Sequence, residues 1–161
     1  MRYSGIIDND VVNTEEGFAV SFFTQGCNHS PKCEGCFNPE TWDENGGIEK
    51  DDNELTNEII GKLYKNGIKR NLSILGGEPL APYNFAFVAN LMKVTKEKFP
   101  KVKIYLWTGY IFEQLPPSTQ MILSQYCDTI IDGPYKHDER DISLKLRGSR
   151  NQRVLRKGID F

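Results

Sequence analysis

The chain has no apolar run near the ~20 residues of a membrane span, and its first ten residues (MRYSGIIDND) lack the hydrophobic core of an export signal. Neither sign of charge dominates. Twenty basic residues against 22 acidic ones leave a formal net charge of −2, so nothing argues generally for nucleic acid or a membrane surface as partner. Repeats, low-complexity tracts and long linkers are missing, and a single domain over residues 1–161 is expected. Histidine is scarce at two residues, and cysteine at four. Four cysteines are enough for two disulfides in a secreted protein. With three of them in one loop and no export signal, reduced thiols in a cytoplasmic protein are the better expectation. What remains is ordinary: 39% hydrophobic and 26% charged residues read as a globular chain with a real core.

That scarcity makes the clustering informative. Residues 25–43 (QGCNHSPKCEGCFNPETWD) hold Cys27, Cys33 and Cys36. Three close thiolates are three soft ligands, suited to zinc or to an iron–sulfur cluster. A four-iron cubane held by three cysteines keeps one iron without a protein ligand, whereas a structural zinc site closes all four positions. Zinc would need a fourth donor, and His29 stands between the first two cysteines. Spacing alone leaves both readings open.

Around this loop the pattern alternates strand, loop and helix. Residues 2–7 and 11–12 suggest a short opening strand, and residues 18–24 (FAVSFFT) a strong one that delivers the chain into the cysteine loop. Gly46 and Gly47 close that loop, over residues 25–47. Asp51 or Asp52 can cap a helix over residues 53–65, with Leu55, Ile59, Ile60 and Leu63 on one stripe and Asn66–Gly67 as its stop. Residues 71–75 (NLSIL) form a short buried strand ending on Gly76–Gly77–Glu78–Pro79. A helix follows over residues 84–99, then a strand over residues 102–107 ending at Thr108–Gly109. Helical segments are expected at residues 112–115 and 118–125, and a last strand over residues 129–132 runs into Gly133–Pro134. This order predicts an α/β fold with a mostly parallel sheet. With about four or five strands, too few for eight βα units, an open partial barrel is expected. Ligands of such sheets gather at the carboxyl ends of the strands, so the cysteine loop, residues 76–79, 108–109 and 132–134 should share one rim.

Each of these strand-end segments also has a plain structural reading. Gly76–Gly77–Glu78–Pro79 is an ordinary turn signal, yet two glycines permit close backbone approach and Glu78 places an anion on the rim. Arg147, Arg150 and Arg153 are a solvated face or a clasp for a carboxylate or a partner's acidic loop. Asp132 makes a turn, or binds a cation or ribose hydroxyls. Cys127 reads as a buried thiol, His137 as a surface residue and the residues 133–161 as a C-terminal tail. Trp42 and Trp107 read as core.

Taken together, Gln25–Gly26–Cys27, Cys33–Glu34–Gly35–Cys36, Asn38–Pro39–Glu40–Thr41–Trp42, Gly76–Gly77–Glu78–Pro79, Thr108–Gly109–Tyr110, Asp132–Gly133–Pro134 and Arg147–Gly148–Ser149 with Asn151–Gln152–Arg153 resemble the radical S-adenosylmethionine superfamily. Within it they are similar to the family of activases of the anaerobic (class III) ribonucleoside-triphosphate reductase. The Asn-Pro-Glu-Thr-Trp run and the arginine-rich tail are the specific signals. The usual superfamily spacing has three residues between the first two cysteines; here there are five, and the extra ones, within residues 28–32, can bulge outward at little closure cost. The resemblance implies a 4Fe-4S cluster on Cys27, Cys33 and Cys36, with S-adenosyl-L-methionine on the fourth iron. Gly76, Gly77 and Glu78 would hold its ammonium, and Gly35, Thr108 and Asp132 would line the cofactor site, with adenine against backbone, Phe37 or Trp42. It further implies reductive cleavage of the cofactor to a 5′-deoxyadenosyl radical, a glycyl radical raised on the reductase's catalytic subunit, and a flavodoxin- or ferredoxin-type electron donor. No Arg-Val-Cys-Gly-Tyr-like segment occurs, as suits an activase rather than the glycyl-radical subunit. Two rivals stand beside this reading: a small-molecule radical enzyme of the carboxydeazaguanine synthase type, and a non-catalytic zinc-binding module.

Overall fold

Alternation of apolar residues along the strands decides which face of the sheet meets the helices. In the computed structural model, which describes residues 1–161, the strands are β1 (Arg2–Asp10), β2 (Phe18–Thr24), β3 (Ile48–Glu49), β4 (Arg70–Gly76), β5 (Ile104–Trp107), β6 (Thr129–Asp132) and β7 (Arg153–Arg156). They form one seven-stranded sheet in the order β3-β1-β2-β4-β5-β6-β7. The four middle strands, β2, β4, β5 and β6, run parallel. The flanking pairs β1/β2, β1/β3 and β6/β7 are antiparallel. The architecture is mixed α/β with a parallel centre.

Three helices, α1 (Asp52–Leu63), α2 (Pro82–Lys98) and α3 (Pro117–Tyr126), link the parallel strands. Parallel neighbours need such crossovers. Asp51 caps α1 by accepting from Asn53 N and Glu54 N, and the chain leaves this helix through Asn66 at φ 58° and Gly67 at φ 72°. Pro82 and Pro117 open α2 and α3, where a missing N–H costs nothing.

The helices all lie on one face. Val20, Phe22, Leu72, Ile74, Ile104, Leu106 and Ile130 from the sheet form one buried cluster with Leu55, Ile59 and Leu63 of α1, Val88 and Leu91 of α2, and Leu123 of α3. The alternate residues, Ser21, Phe23, Ser73, Leu75, Tyr105 and Trp107, point to the opposite face. There the segment between β1 and β2 covers part of the sheet, with Asn71 Nδ2 donating to Thr14 Oγ1 at 3.3 Å and to the Glu16 carbonyl at 3.2 Å. No helix is long and apolar enough to cross a membrane.

Two departures from the sequence reading follow from local bonding. Val11 and Val12 are not strand: Asp10 Oδ1 accepts from Val12 N at 2.7 Å and Asn13 N at 3.2 Å, and this side-chain turn ends β1. Residues 153–156, assigned to the tail, are instead the edge strand β7 on β6.

Candidate functional site

The ends of the parallel strands open onto a cavity of about 500 Å³ on the helix-free face, within the usual size range of a cofactor or small-molecule site. Cys27, Cys33 and Cys36 line it, facing Gly76, Gly77 and Glu78 from the end of β4 and Thr108 and Gly109 from the end of β5. Gly133 reaches it from the end of β6, and Arg147, Gly148 and Gln152 from the segment leading into β7.

Backbone contacts fix the cysteine loop to the strand tips. Gly26 N donates to the Thr41 carbonyl at 2.7 Å, Cys27 N to the Trp42 carbonyl at 3.2 Å and Glu78 N to the Gly26 carbonyl at 2.8 Å. The Gly–Gly pair is required by the chain itself. Gly76 has φ 112° and a side chain there would overlap Thr24, while a Cβ on Gly77 would lie 2.0 Å from the Gly26 carbonyl oxygen. Two buried amides complete the frame. Gln25 Nε2 donates to the carbonyls of Glu40 and Asp43, and Asn84 Nδ2 to those of Gln25 and Glu78. Gln25 belongs to the Gln25–Gly26–Cys27 segment noted in the sequence, though its anchoring role does not show there; Asn84 has as its one signal a polar residue just after a helix-opening proline.

Glu78 is the polar centre. Its side chain is only 1% exposed. Oε1 accepts from Leu80 N at 2.9 Å and Thr108 Oγ1 at 2.8 Å; Oε2 accepts from Gly109 N at 2.9 Å and faces His29 Nε2 at 2.6 Å. Four donors fill the four acceptor positions of a carboxylate. Thr108 Oγ1 in turn accepts from Tyr110 N at 3.1 Å, so the β5 turn and Glu78 hold each other.

The other expected site residues sit differently. Asp132 is fully buried but outside the cavity wall: Phe112 N donates to its Oδ2 at 2.8 Å, and Arg153 holds both its oxygens while also pairing with Glu113. These carboxylates push the Arg153 guanidinium further above its already high range. Gly35, at φ 67°, packs against His137, with a Cβ there only 2.6 Å from His137 Nδ1, and it too lies outside the lining. Trp42 and Trp107, read as core, both face the cavity together with Phe37 and Tyr135. Trp107 Nε1 donates to the Leu146 carbonyl at 2.6 Å, and Leu146 takes a left-handed φ of 66°. Gln152 ties this segment together: its Oε1 accepts from Gly148 N at 2.9 Å and Ser149 N at 3.2 Å, and its Nε2 donates to the Gly133 carbonyl. Cys127 is fully buried beneath the sheet, where desolvation pushes its thiol up to about 12.

The donor set fits an iron–sulfur cluster. Burial raises the Cys27 and Cys33 thiols, so their thiolates call for a cation beside them. His29, the fourth donor that the rival zinc reading would need, is turned onto Glu78, with its ring 4.5 Å from that of Tyr110.

Comparison with known proteins agrees. Residues 14–155 match the family model of the 4Fe-4S single cluster domain. The chain is 40% identical to the anaerobic ribonucleoside-triphosphate reductase-activating protein of Enterobacteria phage T4, over 96% of this chain and 93% of that protein. It is 37% identical to the protein of that name from Vibrio cholerae and 35% identical to the one from Pasteurella multocida, each over 97% of this chain and 98% of the other. The chain belongs to this family. No solved structure matches it. Arg147, Gly148 and Gln152 of the tail build one wall of the cavity.

Proposed function

We propose that this chain is an activase of the anaerobic ribonucleoside-triphosphate reductase. Cys27, Cys33 and Cys36 hold three irons of a 4Fe-4S cluster, and S-adenosylmethionine takes the rest of the cavity. When bound, the two together supply one-electron cleavage of the sulfonium and hydrogen-atom abstraction from a glycine of the reductase. The observation that carries this reading is the convergence of three thiols and the Gly76–Gly77–Glu78 turn on one cavity.

The chain's own residues have three tasks here. Glu78, fixed by Leu80, Thr108 and Gly109, presents a carboxylate oxygen for the cofactor's ammonium. Phe37, Trp42, Trp107 and Tyr135 give the cavity apolar walls that exclude water from a reactive centre and offer faces for adenine. Asp132, locked by Arg153, acts from behind by fixing the end of β6. Helices on one face only, with the site on the other, support an open partial barrel formed by residues 1–161 as one domain. Its uncovered side is where the reductase's glycine loop enters, with electrons supplied by a flavodoxin- or ferredoxin-type protein in the cytoplasm.

Anaerobic reconstitution tests this directly. Iron and sulfide should give a brown, oxygen-labile protein that cleaves S-adenosylmethionine when reduced, and mixing with the reductase should raise a glycyl EPR signal. Stoichiometric zinc without iron–sulfur absorbance would refute the proposal. Cofactor cleavage with no glycyl signal on the reductase would move the chain to a small-molecule substrate.

A further inference from the structure

The family resemblance assigns Glu78 to an ammonium; in the structure all four of its acceptor positions are filled. Three of the four donors belong to the scaffold. Leu80 N and Gly109 N are backbone, and Thr108 Oγ1 is buried and engaged with Tyr110 N. The fourth, His29, comes from the long stretch between Cys27 and Cys33, and its side chain is 21% exposed. It alone can leave without dismantling the end of a strand.

The same stretch is pinned to the β5 turn at neighbouring points. Asn28 Nδ2 donates to Tyr110 Oη at 2.8 Å, the His29 ring packs on Tyr110, and the imidazole lies against Gly109, where a Cβ would come within 2.6 Å of Nε2. Movement of His29 off Glu78 therefore also loosens its neighbour Asn28 from Tyr110, while Gly26 and Cys27 stay tied by their backbone bonds to Thr41 and Trp42.

We infer that His29 is a place-holder for the ligand's ammonium on Glu78 Oε2, and that its displacement couples ligand arrival to release of the Cys27–Cys33 loop from Tyr110. This rests on the proposed binding of S-adenosylmethionine in the cavity. A protonated primary amine offers the carboxylate the same kind of charge-assisted hydrogen bond that the imidazole gives up. Part of the ligand's binding free energy is then spent on moving His29, as in any equilibrium where the competent state must first be vacated.

The test is equilibrium binding to cluster-loaded protein held oxidised, so that no turnover occurs. S-adenosylmethionine should bind His29→Ala about ten-fold more tightly than the unaltered chain, the scale of one hydrogen bond to a charged group. The desamino analogue, which lacks the ammonium, should bind both proteins equally. Tyr110→Phe, which removes the Asn28 anchor and leaves Glu78 intact, should give a smaller gain of the same sign. Equal or weaker binding of S-adenosylmethionine by His29→Ala, or an equal gain for the desamino analogue, would overturn the inference. S-adenosylmethionine failing to bind either protein while the cluster is present would instead sink the cofactor assignment, and this inference with it.

Discussion

Replacing Glu78 by glutamine changes one oxygen to an amino group and leaves the shape intact. The carboxylate accepts from two buried backbone N–H groups, Leu80 on one oxygen and Gly109 on the other. Whichever way the new amide turns, its NH2 faces one of them. Thr108 and His29 can adapt, because a hydroxyl and an imidazole both accept as well as donate; a peptide N–H cannot. One stranded buried donor costs about 1–3 kcal/mol, and the remaining bonds lose their charge assistance. Together the expected loss is about 2–4 kcal/mol. For a chain of 161 residues that corresponds to a fall in melting temperature of roughly 5–15 °C. Thermal and urea unfolding of the metal-free protein, followed by circular dichroism, read it out. Thr108→Val should cost less, and the double variant should be less destabilised than the sum, because the two share one bond. A Glu78→Gln protein that melts within a degree or two of the parent would refute the four-donor arrangement.

Other consequences are quick to check. Gly77→Ala drives a Cβ into the Gly26 carbonyl and should destabilise by several kcal/mol, whereas Gly61→Ala, inside α1 with open space around it, should stabilise by about 0.5–1 kcal/mol; paired melting curves decide both. Burial raises the Asp10 carboxyl, but hydrogen bonds from Ser21, Asn13 and Val12 outweigh it and leave the group below its usual range. Asp10 thus contributes stability that is present above the ordinary carboxylate range and lost as pH falls through its lowered native value; in Asp10→Asn, stability at neutral pH should drop and the acid limb of the curve should flatten. Iodoacetamide applied to the folded, metal-free chain should alkylate Cys27, Cys33 and Cys36 and spare Cys127, which reacts only after unfolding, as peptide mass mapping would show.

Much of the site was readable because its chemistry is local. Three thiols in one loop and a glycine turn after each parallel strand fall within short windows, and the order of strands and helices then brings them to one rim. The Asp51 cap and the stripe of Leu55, Ile59 and Leu63 gave α1 almost to the residue. Long-range partnerships were not readable. Glu78 looked like a free anion because Thr108 and His29 lie 30 and 49 residues away along the chain. β7 passed as tail because Arg153 and Arg156 break its apolar pattern; it is a strand because Asp132 and Glu113 await Arg153 at the sheet edge. Trp107 reads as core on size, and it is the placement of the helices on the other face of the sheet that turns it toward the cavity.

The 23-residue core gathered beneath the helices includes none of the cysteines at the rim. Apolar burial beneath the helices, rather than a metal, should therefore hold the architecture together, unlike in a zinc finger, which has no structure until metal arrives. A cell starved of iron would carry this polypeptide as a finished but idle body. Supplying iron and sulfide later would restore competence within the time of cluster assembly, with no new round of synthesis.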